Sequence, residues 1–208
     1  MEDLINVLIP KSANPNLALP DPELLTFYRG VENRVIWILD EIDATAFDWA
    51  ELIIEYNRQD ALIEPNHRKP IRLMIASPGG SLECANMLID VITMSLTPVY
   101  AVAMGMCASA ASMIYLACHK RYALSSASFL FHKGSCSGID GTFDQVQNFM
   151  EQYRKEVEKL VVFYKSHTNY DPEVIEDKLN HGDWYIDLKE ALDKNVVNSI
   201  ATDIEILI

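Results

Sequence analysis

Three residues far apart in the chain, Ser109, His132 and Asp183, are of the types that combine into a nucleophile, a general base and an orienting acid. Ser109 lies in Gly105-Met106-Cys107-Ala108-Ser109-Ala110-Ala111-Ser112, where an apolar run passes through small residues into a helix. A hydroxyl there would sit beside unpaired N–H groups with little steric cover, which suits an attack that creates an oxyanion. Close backbone packing calls for the same small residues, and a lone serine in such a place is usually only that. His132 ends the apolar run Ser128-Phe129-Leu130-Phe131, where either a site histidine or a surface histidine would fit. Asp183 precedes Trp184-Tyr185-Ile186, so its carboxylate could hold an imidazole or satisfy the donors of a turn. A fourth signal is Ser77-Pro78-Gly79-Gly80-Ser81, whose paired glycines would let main-chain N–H groups approach a ligand. A tight turn explains that motif equally well. Each signal is modest alone, and jointly they form a Ser, His, Asp constellation.

To bring these residues together the chain must alternate strands and helices. Apolar runs predict strands at 34–39, 71–76, 99–103 and 127–131, with helices at 46–57, 81–95 and 108–118 between them. Such alternation implies right-handed crossovers, an α/β fold with a mostly parallel sheet, and ligands at the carboxyl ends of its strands. Thr142 and Gln145 then form a capping box for a helix over 142–167, in which Phe149, Tyr153, Val157, Leu160 and Tyr164 recur at threes and fours. That helix projects roughly 35 Å, more than a small α/β body needs, so part of it should meet another subunit. The alternative is a crossover helix lying wholly on its own sheet. Asp171-Pro172 opens a short helix, Asp187 with Glu190 caps another, and 196–201 reads as a last strand. Residues 1–22, with Pro10, Pro15, Pro20 and Pro22, read as an irregular arm, and 23–208 as a single domain.

Composition narrows the function. With 17 Lys+Arg against 30 Asp+Glu, the net charge of −13 opposes a phosphate-backbone binder, so nucleic acid is not an expected partner. Cys84, Cys107, Cys118 and Cys136 lack C-x-x-C or zinc-ligand spacing and read as reduced thiols of a cytoplasmic protein, with neither metal nor cofactor implied. The opening MEDLINVLIP carries two acids and a proline where a secretion signal needs positive charge. Residues 91–118 run without Asp, Glu, Lys or Arg and are long enough to span a bilayer. Pro98 and Gly105 break them, however, into a helix end, a β-rich piece and a small-residue helix, so a buried strand and helix are expected and no membrane span.

Taken in order, Arg34-Val35-Ile36-Trp37, Ile75-Ala76-Ser77-Pro78-Gly79-Gly80-Ser81, Met104-Gly105-Met106-Cys107-Ala108-Ser109-Ala110-Ala111-Ser112, Phe129-Leu130-Phe131-His132 and Asp183-Trp184-Tyr185-Ile186 resemble the blocks of the ClpP family of self-compartmentalised serine proteases. The resemblance runs from about Gly30 to the C-terminus and implies a crotonase-like α/β fold. It assigns Ser109 as nucleophile, His132 as general base and Asp183 as orienting acid, with the N–H groups of Gly80 and Ala110 as the oxyanion hole. It also implies unfolded or short polypeptides as substrates, a homo-oligomeric heptameric ring or stacked double ring, a protruding handle helix at 142–167, and an AAA+ unfoldase as partner. Departures from the family pattern are Arg72 and Met74 at positions commonly aromatic in the unfoldase docking pocket, Gly182 in place of an arginine, and Lys133 in place of a polar amide. Three competing functions are a crotonase-fold acyl-thioester enzyme, a non-catalytic ring subunit, and a peptidase anchored by 91–118.

Overall fold

The computed structural model describes residues 22–136 and 138–207. Helix α1 (Pro22–Glu32) leads into strand β1 (Val35–Ile38), helix α2 (Ala46–Gln59), strand β2 (Ile71–Ser77) and helix α3 (Leu82–Met94). Then follow β3 (Val99–Ala108), α4 (Ala110–Ala117), β4 (Lys120–Ala123) and β5 (Ser128–Phe131). The chain finishes with the long helix α5 (Phe143–His167), α6 (Pro172–Asn180), β6 (Trp184–Ile186), α7 (Leu188–Asp193) and β7 (Ser199–Ile200). The arm expected at 1–22 lies outside the described residues except for Pro22, which opens α1.

The sheet order is β1-β2-β3-β4-β7, all parallel, and β5 and β6 form a branch off β3. Strand β5 runs parallel to β3 and antiparallel to β6. Both faces of β2 are covered, which is why Ile71, Leu73, Met74 and Ile75 are buried as a near-continuous apolar run instead of alternating. Helices α2, α3 and α4 contribute Ile53, Leu88, Ile92 and Ile114 to the same core.

Strand β3 departs from expectation in a way that matters for the site. It does not end at Ala103 but continues through Gly105 to Ala108. Its pairing with β2 slips between Ile75 and Ser77, which stand opposite Ala103 and Cys107. The extra residues on β3 form a bulge, and at that bulge the strand changes neighbour, from β4 over Tyr100–Ala103 to β5 over Met106–Ala108. Gly105 is thus a bend inside one strand and not a break between two elements. Among the described residues no helix is long and apolar enough to cross a membrane, and residues 91–118 divide among the end of α3, β3 and α4.

Helix α1 and strands β4 and β6 were not expected. Strand β4 begins with Lys120-Arg121, and Arg121 is buried. Its guanidinium donates to the carbonyls of Leu116, Cys118, Asn195 and Val196, so the charge is satisfied by main chain without a carboxylate. A second buried charge is paired. Asp60 accepts two hydrogen bonds from Arg34, at 2.6 and 2.8 Å, and one from Thr97 at 2.8 Å.

Candidate active site

Ser109 stands between the end of β3 and the start of α4 with φ 55° and ψ −126°, a conformation that side-chain-bearing residues seldom adopt. Three main-chain bonds hold it there. Its own N–H donates to the Leu130 carbonyl of β5 at 2.9 Å, and its carbonyl accepts from the Ser112 and Met113 N–H groups. The Ser112 hydroxyl adds a 2.6 Å bond to the same carbonyl. Because β5 pairs with the last residues of β3, the residue after β5, His132, is delivered to the same edge as Ser109. The His132 Nε2 to Ser109 Oγ distance is 2.5 Å.

Asp183 sits just before β6, which pairs antiparallel with β5 through Phe131 opposite Trp184, so residues 132 and 183 extend from the same end of the pair. Asp183 Oδ1 lies 3.5 Å from His132 Nδ1, longer than a hydrogen bond, and its side chain is 57% exposed. The structure therefore brings all three predicted side chains together, with the serine–histidine contact closed and the histidine–aspartate contact still open.

The paired glycines pass immediately beside the serine. A Cβ on Gly79 would stand 2.6 Å from Ser109 Cβ and 2.8 Å from the Ala108 carbonyl, and its φ is +100°. A Cβ on Gly80, at φ +149°, would meet the Ile42 main chain at 2.3 Å. Ile42 clamps the turn by donating to the Gly79 carbonyl and accepting from Ser81 N–H, both at 2.7 Å. The Gly80 and Ala110 N–H groups, by contrast, have no acceptor among the described residues. Ala110 is the first residue of α4, so its free N–H carries the positive end of that helix.

These residues open onto a cavity of about 590 Å³ with both polar and apolar walls. Met106, Met113 and Leu130 form apolar floor, and Tyr153, Val157 and Leu160 reach in from α5. Reading the sequence did not assign these α5 residues to the site. Their helical spacing marked a buried face, but what that face covers depends on how α5 packs. The Lys133 ammonium is turned away onto Asn180 Oδ1 of α6, and Tyr153 donates to the Lys133 carbonyl.

The four cysteines are all free. Burial raises the Cys107 thiol well above its ordinary value and pushes Cys118 up to about 12, so neither is a thiolate nucleophile at neutral pH. Among the described residues no group of three or more His, Cys, Asp or Glu side chains is placed to hold a metal ion.

Residues 25–203 match the family described as Clp protease. The chain belongs to the Clp protease family. It is 29% identical to the ATP-dependent Clp protease proteolytic subunit 2 of Treponema pallidum over 181 residues, 86% of this chain and 87% of that one. With the subunit of the same description from Treponema denticola the identity is 31% over 157 residues, 73% and 76% of the two chains. Among solved structures, a ClpP1 mutant from Listeria monocytogenes superposes with a TM-score of 0.67, covering 86% of this chain and 98% of that chain at 24% identity, a likeness of fold. The expected ClpP-like α/β fold and the expected serine endopeptidase of this family both hold.

Proposed function

We propose that the chain cleaves peptide bonds with Ser109 as nucleophile, His132 as general base and acid, and Asp183 as the carboxylate that orients the imidazole. The observation that carries this reading is the 2.5 Å approach of Oγ to Nε2 at a residue held in a strained turn beside two unused N–H donors. Nε2 takes the hydroxyl proton as Oγ attacks the substrate carbonyl, and the Gly80 and Ala110 N–H groups receive the oxyanion. His132 then gives its proton to the leaving amine, and a water activated by the same nitrogen releases the acyl group from Ser109. Asp183 joins by a small movement toward Nδ1, as often happens when substrate fills an open site.

The apolar floor of the cavity favours an extended polypeptide that buries an apolar side chain next to the scissile bond. Assembly into a homo-oligomeric ring is supported by α5, whose Phe149, Met150 and Val162 are exposed, and by relatives named as proteolytic subunits. The name ATP-dependent carried by those relatives supports an AAA+ unfoldase as partner. Four unpaired cysteines support a reducing compartment, the cytoplasm.

Labelling decides the chemistry. A fluorophosphonate probe should modify Ser109 in the purified protein, and Ser109→Ala should lose both labelling and cleavage of a fluorogenic peptide while keeping its mass in solution. An acyl-thioester enzyme of the crotonase fold or a non-catalytic ring subunit would leave the probe unreacted. Cleavage retained by Ser109→Ala would end the assignment.

A further inference from the structure

Tyr164 of α5 is fully buried, and its hydroxyl has no hydrogen-bond partner, the only such buried side-chain atom among the described residues. An unpaired phenol in the interior is costly, and a phenylalanine would avoid that cost entirely. Its surroundings give the hydroxyl a purpose. The ring stacks on Phe131 at 4.3 Å and 14°, and Phe131 in turn meets Trp184 edge-on at 5.7 Å. Phe131 immediately precedes His132, and Trp184 immediately follows Asp183. Groups near the hydroxyl include the side chain of Ser112, which holds the Ser109 carbonyl, the Cys107 thiol and the main chain of His132. Burial raises the phenol's pKa. The main-chain donor of His132 is its N–H, whereas the Ser112 proton is committed to the Ser109 carbonyl, which leaves the Ser112 oxygen to accept. Neither approach has hydrogen-bond geometry in the structure. The unfilled bond of Tyr164 thus accompanies an open 3.5 Å gap between His132 and Asp183.

Resting on the triad reading above, we propose that Tyr164 is a positioning residue, whose hydroxyl bridges the Ser112 hydroxyl and the His132 N–H when the imidazole swings onto Asp183. One oxygen would then tie the support of the nucleophile to the support of the base, and set both relative to α5.

The test compares wild-type protein with Tyr164→Phe, which removes only the hydroxyl, and Tyr164→Leu, which also removes the stacked ring. Each is measured for thermal midpoint, for kcat and KM on a fluorogenic peptide, and for the rate of Ser109 labelling by a fluorophosphonate. Tyr164→Phe should melt at or above the wild-type temperature, yet lose about three- to tenfold in kcat and in labelling rate, the range one hydrogen bond supplies, with KM unchanged. Tyr164→Leu should lose at least as much kcat and also melt lower. Wild-type kcat in Tyr164→Phe overturns the proposal, as does a rise in KM in place of the fall in kcat. A thermal midpoint that falls together with kcat in Tyr164→Phe overturns it too, because the hydroxyl would then be holding the fold. Failure of the wild-type protein to label at Ser109 would instead remove the triad reading on which the proposal stands.

Discussion

At the scale of single residues, the site depends on close main-chain approach more than on any one polar contact. Gly79 has no room for a methyl group, since it would stand 2.6 Å from Ser109 Cβ. Gly79→Ala should therefore displace the serine or the Gly80 donor and lower kcat by about 10²-fold or more, the usual cost of losing an oxyanion donor, a loss that steady-state cleavage of a peptide substrate would register. Asp183→Asn should lower kcat by roughly 10³- to 10⁴-fold while leaving the fold intact, because an amide can favour the wrong imidazole tautomer. A loss of less than tenfold by the same assay would mean that the exposed carboxylate never closes on Nδ1. Ser109, His132 and Asp183 were legible because strand ends and small-residue junctions are where parallel α/β sheets keep such groups. The φ of +55° at Ser109 was not, since serine carries no signal for that conformation.

At the scale of elements, two buried charges fasten connections that apolar packing does not. Arg34 sits before β1 and Asp60 after α2, and their bidentate contact closes that crossover beside Thr97. Hydrogen bonds from Arg34, joined by Thr97, hold the Asp60 carboxyl below the ordinary carboxylate range against the opposing effect of burial. A depressed folded value contributes stability that is fully present above the unfolded value of about 3.9 and is lost as pH falls through the folded value. Asp60→Asn should thus cost about 3–5 kcal/mol at neutral pH by stranding Arg34, and should flatten the acid limb of stability below about pH 4, both readable from urea melts across pH. Arg121→Met should strand the carbonyls of Leu116, Cys118, Asn195 and Val196 and cost on the order of 3 kcal/mol or more in the same melts. Arg121 also explains why β4 escaped notice in the sequence, because a Lys-Arg start looks like surface until the acceptors around it are known. The long apolar strand β2 and the Thr142 capping box were plain because their signals are local. The continuation of β3 through Gly105 was hidden because a bulge is defined by partner strands that no local window contains.

At the scale of the whole molecule, α5 is the element least accounted for by the fold of one chain. Of its 25 residues only Leu160 and Tyr164 are buried, while Phe143, Phe149, Met150 and Val162 expose apolar surface. Phe149→Asp combined with Met150→Asp should shift the mass measured by light scattering toward smaller species without lowering the thermal midpoint of the subunit. An unchanged mass would mean that this face of α5 is not an interface. Tyr153, which stacks on Phe149 one turn away, lines the cavity beside Ser109 and His132 together with Val157 and Leu160, further along the same side of the helix. One side of this rod is therefore bare in its early turns and wall to the slot further along, so a neighbour that covered Phe149 would press directly on the Tyr153 ring and thereby on the gauge of the gap.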